Sequence, residues 1–225
     1  MATIVVAIEQ GRAIFDNIRN FILFLLSGNV GEIMIVAFAI VAGAPLPILP
    51  LQILYLNMIG DVFPALALAM GRGDCRNMRE PPRDPGEPIL TRRYWLAIGG
   101  YGLLIALSVL AAFALALTIF DFDRGQAVTV AFLSLSFGRL WHVFNMRAAA
   151  SGPLRNEITS NPYVWGALAL GSALLLLATY VPTLAQILSL APPDANGWLL
   201  ILGFSLVPLA VGQGIIEWRR NLSKR

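Results

Sequence analysis

Residues 21–43 read FILFLLSGNVGEIMIVAFAIVAG, an apolar run interrupted by one charge, Glu32. About 20 such residues in helical form cross the ~30 Å hydrocarbon core of a bilayer. This run is the first of six. The others cover 47–70, 94–119, 127–146, 164–181 and 198–216, and a polar, helix-compatible lead-in from Gly11 precedes the first. The composition agrees: 57% of residues are hydrophobic and 13% charged, about half the charge of a soluble domain. One core of this size cannot hide so much apolar surface, so lipid is the solvent the sequence expects.

The same composition excludes several classes. The net charge is +3, and no basic stripe interleaved with aromatics suggests nucleic acid. Cys75 is the single cysteine, which excludes an internal disulfide and a cysteine-based metal site. Ile4 to Ile8 is apolar, but no positive charge precedes it and Glu9 follows, so it does not read as a signal peptide. Trp95, Trp141, Trp165, Trp198 and Trp218 fall near span ends, as an interfacial belt requires.

Lysine and arginine sort by loop. Arg12 and Arg19 precede span one; Arg72, Arg76, Arg79, Arg83, Arg92 and Arg93 lie between spans two and three. Arg147 and Arg155 separate spans four and five, and Arg219, Arg220, Lys224 and Arg225 close the chain. The opposite loops carry Arg124 alone, a split of 14 to 1 with Arg139 left inside a span. The positive-inside rule then predicts an all-α, multi-pass integral membrane protein, a bundle of six transmembrane helices with both termini cytoplasmic, in the plasma or bacterial inner membrane. The loop from Gly71 to Arg93 reads as an ordered cytoplasmic hairpin.

Three ionisable residues sit well inside spans: Glu32, Asp61 and Arg139. A charge at the centre of a helix in lipid costs ~2.5–3.5 kcal/mol or more, so each needs a reason. Asn29 and Glu32, three apart, share a helix face; Asn57 and Asp61, four apart, share another. Gly60 loosens the second helix, and Pro64 has no amide to offer the carbonyl four residues earlier. Broken backbone at membrane depth is tolerated where it lines a polar cavity. Carboxylates, amides and free carbonyls are hard oxygen ligands for cations. The bland alternative is that these groups glue helices together. Arg139 reads either as a permanent counter-charge to Glu32 or Asp61, or as a side chain snorkelling to the interface. His142, one turn on, reads as a hydrogen-bonded residue near the interface.

At these residues the sequence resembles the P-type cation-transporting ATPases, especially the calcium-pump branch. Ala2 to Arg12 looks like the end of that family's phosphorylation domain running into its fifth membrane helix. Asn17-Ile18-Arg19 and Ser27-Gly28-Asn29-Val30-Gly31-Glu32 match that helix; Asn57 to Asp61 with Pro64 match the sixth. Met78 to Ile89, MREPPRDPGEPI, is similar to the Pro/Arg-rich loop that follows, and Phe144-Asn145-Met146-Arg147 matches a later span. The resemblance implies a region from the fifth to the tenth helices, with residues 1–20 a remnant of the phosphorylation-domain end plus the cytoplasmic start of the first helix, and 21–225 the membrane domain. It implies that Asn29, Glu32, Asn57 and Asp61 are metal-cation ligands.

Two departures bear on the ion. Gly60 stands where two-site calcium pumps carry a threonine ligand, and Arg139 stands where they carry an eighth-helix glutamate. At 4 Å and an effective dielectric near 20, a fixed positive charge repels a cation by ~4 kcal/mol per unit charge. One ion, or protons, is therefore expected in place of two calcium ions. The cation is expected to be Ca²⁺, another metal cation or H⁺.

The family's aspartyl-phosphate motif, its nucleotide domain and its Pro-Glu-Gly fourth helix are not in these residues, so ATP and Mg²⁺ are expected only where those domains are supplied. Whether the assembly is an enzyme rests on them. The leading expectation is the cation-binding membrane portion of such a pump, with the lipid bilayer and either the pump's N-terminal part or another membrane protein as partners. The alternative is a regulatory or partner-binding membrane module with no transport of its own.

Overall fold

The computed structural model describes residues 2–71, 86, 88–148 and 151–222. Most of the loop read as a cytoplasmic hairpin, with Cys75, lies outside the described residues. Among the described residues eight α-helices follow in order: α1 (Ala2–Val41), α2 (Pro50–Tyr55), α3 (Val62–Ala69), α4 (Arg92–Thr118), α5 (Arg124–His142), α6 (Pro162–Tyr180), α7 (Pro182–Leu188) and α8 (Ala195–Leu222). No strand occurs among the described residues. Six helical segments among the described residues are long and apolar enough to cross a membrane: Ile4–Val41, Pro50–Ala69, Arg92–Thr118, Arg124–Met146, Pro162–Tyr180 and Ala195–Leu222. The protein is a multi-pass integral membrane protein.

The helices outrun the apolar stretches that announce them. α1 begins at Ala2 and is 40 residues long, roughly 60 Å at 1.5 Å per residue, so half of it is surplus to a bilayer. α8 continues through Trp218, Arg219 and Arg220 to Leu222. Hydropathy marks where lipid begins, whereas backbone hydrogen bonding carries a helix on into the interface. The loop after the fifth span also holds the short α7, closed by Ser189 in the left-handed region (φ 53°).

Local chemistry sets several ends. Asp123 caps α5: its Oδ1 accepts from the Gln126 amide at 2.9 Å, while Gln126 Oε1 accepts from the Asp123 amide at 3.2 Å. Asn161 caps α6, with Pro162 at the first helical position.

The fourth span is the hub. In its most apolar 18-residue stretch 89% of residues are buried, against 33–44% in the corresponding stretches of the other spans, and α5 packs against α4, α6 and α8. Close crossings use glycine where backbones approach. A Cβ on Gly102 of α4 would lie 2.7 Å from Val30 Cγ1 of α1, which is how α1 and α4 pack so intimately. Pro208 breaks the bonding inside α8 by withholding an amide from the Phe204 carbonyl. Ser108 of α4 fills that gap, its hydroxyl donating to Phe204 O at 2.6 Å.

The α1 stem grips the ends of the loop between spans two and three. Asn17 Nδ2 donates to the carbonyls of Ala69 (3.2 Å) and Gly71 (2.7 Å). Arg19 donates to Ile89 O at 2.7 Å and Pro88 O at 3.0 Å, and its guanidinium lies over the rings of Phe15 and Tyr94 at 4.7 and 5.1 Å.

Candidate functional site

The second span is not one regular helix. Between α2 and α3, Leu56–Gly60 winds as a π-helical turn, and Asp61 is the junction residue. Such turns arise where one extra residue is accommodated within the ladder. Gly60 contributes no side-chain bulk, and Pro64 has no N–H for the Gly60 carbonyl. The bend brings the Asp61 carboxylate, 6% exposed, toward α1.

From α1, Glu32 (5% exposed) and Asn29 point at the same place. From the hub helix α5, Arg139 reaches in with 1% exposure. Its Nη1 donates to Glu32 Oε1, and its Nη2 donates to Asp61 Oδ1 and, at 3.3 Å, to Asn29 Oδ1. Asn57, in the π-helical turn, is exposed. Three segments distant in sequence thus meet at one cluster, two buried carboxylates and a buried guanidinium with the part-buried amide of Asn29 beside them. Arg139 points into the bundle and does not snorkel.

The guanidinium rests on Gly28. A Cβ there would come within 2.7 Å of Nε and Nη2. Nε has no hydrogen-bond partner among the described residues. The cluster is open on one flank, since Asn57 and Met58 are exposed while Glu32, Asp61 and Arg139 are buried. Among the described residues no three His, Cys, Asp or Glu side chains group as a metal cluster; the oxygen set is two acids and two amides, the chemistry of hard cations.

A polar chain that the sequence reading did not assemble runs from beside the cluster toward the end of α8. Ser27 Oγ pairs with His142 Nε2 at 2.9 Å, and Asn145 Nδ2 with His142 Nδ1 at 3.2 Å. Asn145 also donates to Pro208 O at 3.0 Å and accepts from Gln213 at 3.1 Å. Arg147 donates to Gln213 Oε1 at 2.8 Å and to Glu217 at 2.6 Å. His142 is therefore a buried core residue, stacked near Phe24 and edge-on to Tyr101, and not an interfacial one. Arg147, counted in the sequence as a loop charge, is 4% exposed and ion-paired. The signals for this chain in the sequence are Ser27 and the Phe144–Arg147 stretch, each within a matched motif, and the hydrogen-bonding expected of His142.

Residues 45–218 match the family described as "Cation transporting ATPase, C-terminus". The chain belongs to this cation-transporting ATPase family. It is 35% identical over 220 residues to a calcium-transporting ATPase of Bacillus subtilis, covering 98% of this chain and 25% of the relative. It is 32% identical to calcium-transporting ATPase 1 of Bacillus cereus, covering 98% and 26%. A P-type sodium-transporting ATPase4 of Toxoplasma gondii is 50% identical over 94 residues, 42% of this chain and 7% of that protein. The chain spans about a quarter of the length of the calcium-transporting relatives and corresponds to a C-terminal membrane region of the cation-transporting ATPases.

Proposed function

We propose that this chain is the cation-binding membrane portion of a P-type cation pump, and that Asn29, Glu32, Asn57 and Asp61 are the ligands of one transported ion. The observation that carries the reading is the convergence of Glu32 and Asp61, from different spans, on the buried guanidinium of Arg139. Two acids and one arginine leave a net charge of −1 when all are ionised. That suits one cation or proton far better than two divalent ions, each of which would meet the guanidinium at ligand distance.

Arg139 acts as a tethered stand-in for the ion. With no cation bound it keeps both carboxylates paired, which a buried acid needs. An entering ion competes for the same oxygens. The open flank at Asn57 is where further helices of the pump would pack, and the exposed Ile4, Val5, Val6 and Ile8 of the α1 stem fit cover by a cytoplasmic domain. The relatives' names give calcium for two and sodium for a third, so these are the ions to compare.

The test measures cation-stimulated ATP hydrolysis and ion uptake in sealed vesicles, with the chain joined to the whole N-terminal part of a pump of this family, its first four helices together with its phosphorylation and nucleotide domains. Asp61→Asn and Glu32→Gln should abolish uptake while leaving phosphorylation from inorganic phosphate intact. Full cation stimulation in both variants would show that the ligands lie elsewhere.

A further inference from the structure

α4 and α8 are clamped where Ser108 donates to the Phe204 carbonyl. From that point α4 runs fifteen residues back to Arg93 and α8 fifteen residues on to Arg219, about 22 Å each. A groove of about 580 Å³ lies along this stretch, lined by both helices. Leu96, Ala97, Leu104, Val211 and Ile215 give it apolar walls, and Arg93 and Arg219 line its outer end. Both arginines are exposed.

Among the described residues no carboxylate lines the groove. The acid nearest Arg219 in sequence, Glu217, is held by Arg147 at 2.6 Å and Arg220 at 3.3 Å. Trp95 and Trp218, 56% and 65% exposed, flank the two arginines; exposed tryptophans at span ends mark headgroup depth. The ligand that fits has an anionic group at that depth and an apolar tail lying inward along the helices. A basic pocket between membrane helices with such walls is the arrangement that holds acidic lipids.

We propose that this groove binds an anionic phospholipid, its phosphate between Arg93 and Arg219 and one acyl chain along Leu96, Gly100 and Ile215. The site is separate from the Glu32/Asp61/Arg139 cluster and does not rest on the cation-site reading. The two arginines set headgroup preference, and the apolar walls set retention of the tail. A Cβ on Gly100 meets no atom within 4 Å, so this position can be filled without disturbing the bundle.

The experiment purifies the chain in detergent micelles containing equal amounts of phosphatidylglycerol and phosphatidylcholine with identical acyl chains, and counts retained lipid by native mass spectrometry. Wild type should retain phosphatidylglycerol over phosphatidylcholine by roughly thirtyfold, from about fivefold per arginine at the headgroup surface. The double variant Arg93→Gln/Arg219→Gln should bring the ratio near one, while Arg155→Gln leaves it unchanged. Gly100→Leu should lower retention of both lipids with an unchanged unfolding temperature. Unaltered selectivity in the double variant overturns the proposal. So does a wild-type dimer that Gly100→Leu turns into a monomer, which would put a second copy of the chain in the groove.

Discussion

The guanidinium of Arg139 lies on Gly28, close enough that a methyl group at position 28 would sit 2.7 Å from its Nε. Gly28→Ala should therefore act through Arg139. The anchored guanidinium must move off Glu32 or Asp61, and we expect a loss of about 1–3 kcal/mol, the usual range for overpacking a filled site. The check is a double-mutant cycle in reversible mixed-micelle unfolding. In an Arg139→Met background the cost of Gly28→Ala should largely vanish; additive costs would place the strain elsewhere.

Removing Arg139 alone leaves Glu32 and Asp61 buried together without a cation. Arg139→Met should destabilise the bundle by about 3–5 kcal/mol, the cost of breaking a buried pair from one side. The triple variant with Glu32→Gln and Asp61→Asn should recover most of that, because no unpaired charge remains. Unfolding of the single and triple variants measures the difference, and equal instability of the two would mean that Arg139 acts by packing alone.

Ser108 mends the break that Pro208 makes in α8. Ser108→Ala should cost about 0.6–2 kcal/mol, the range for interhelical hydrogen bonds in membranes, because the Phe204 carbonyl loses its donor. Pro208→Ala returns an amide to that carbonyl, so the same serine substitution should cost close to nothing in its presence. A serine effect that is the same with and without Pro208 would contradict this account.

Arg19 ties the α1 stem to Pro88 and Ile89 by two carbonyl contacts. Arg19→Ala should speed amide exchange at 89–94 by tenfold or more, since each 1.4 kcal/mol of lost local stability is a factor of ten. Arg19→Lys should recover only part of the protection, because an ammonium lacks the planar fork that serves two carbonyls together. Hydrogen–deuterium exchange on the purified chain reads both.

Much of the candidate site was legible before any folding. Asn29 and Glu32 on one face, Asn57 and Asp61 on another, and the break at Gly60 and Pro64 are local facts of spacing and backbone chemistry. The structure adds that the break takes the form of a π-helical turn ending at Asp61. It also places Asn57 at the open edge, not in the buried cluster. Gly28 was visible only as part of a motif; its contact with Arg139 depends on two segments more than a hundred residues apart. His142 and Arg147 read as interfacial or loop residues because hydropathy measures depth along a helix and is blind to direction around it.

That distinction separates what the sequence by itself determined from what only the tertiary structure decided. The number of spans and their arginine-marked ends follow from transfer free energies summed along the chain, and those sums need no knowledge of neighbours. The direction in which Arg139 points does not. The span that carries it is buried along nearly its whole apolar stretch and packs against α4, α6 and α8, so no apolar face marks which side meets lipid. The rotation of α5 is settled by packing: Gly28 leaves room for a guanidinium, and Glu32 and Asp61 offer it the two charges that make its burial tolerable.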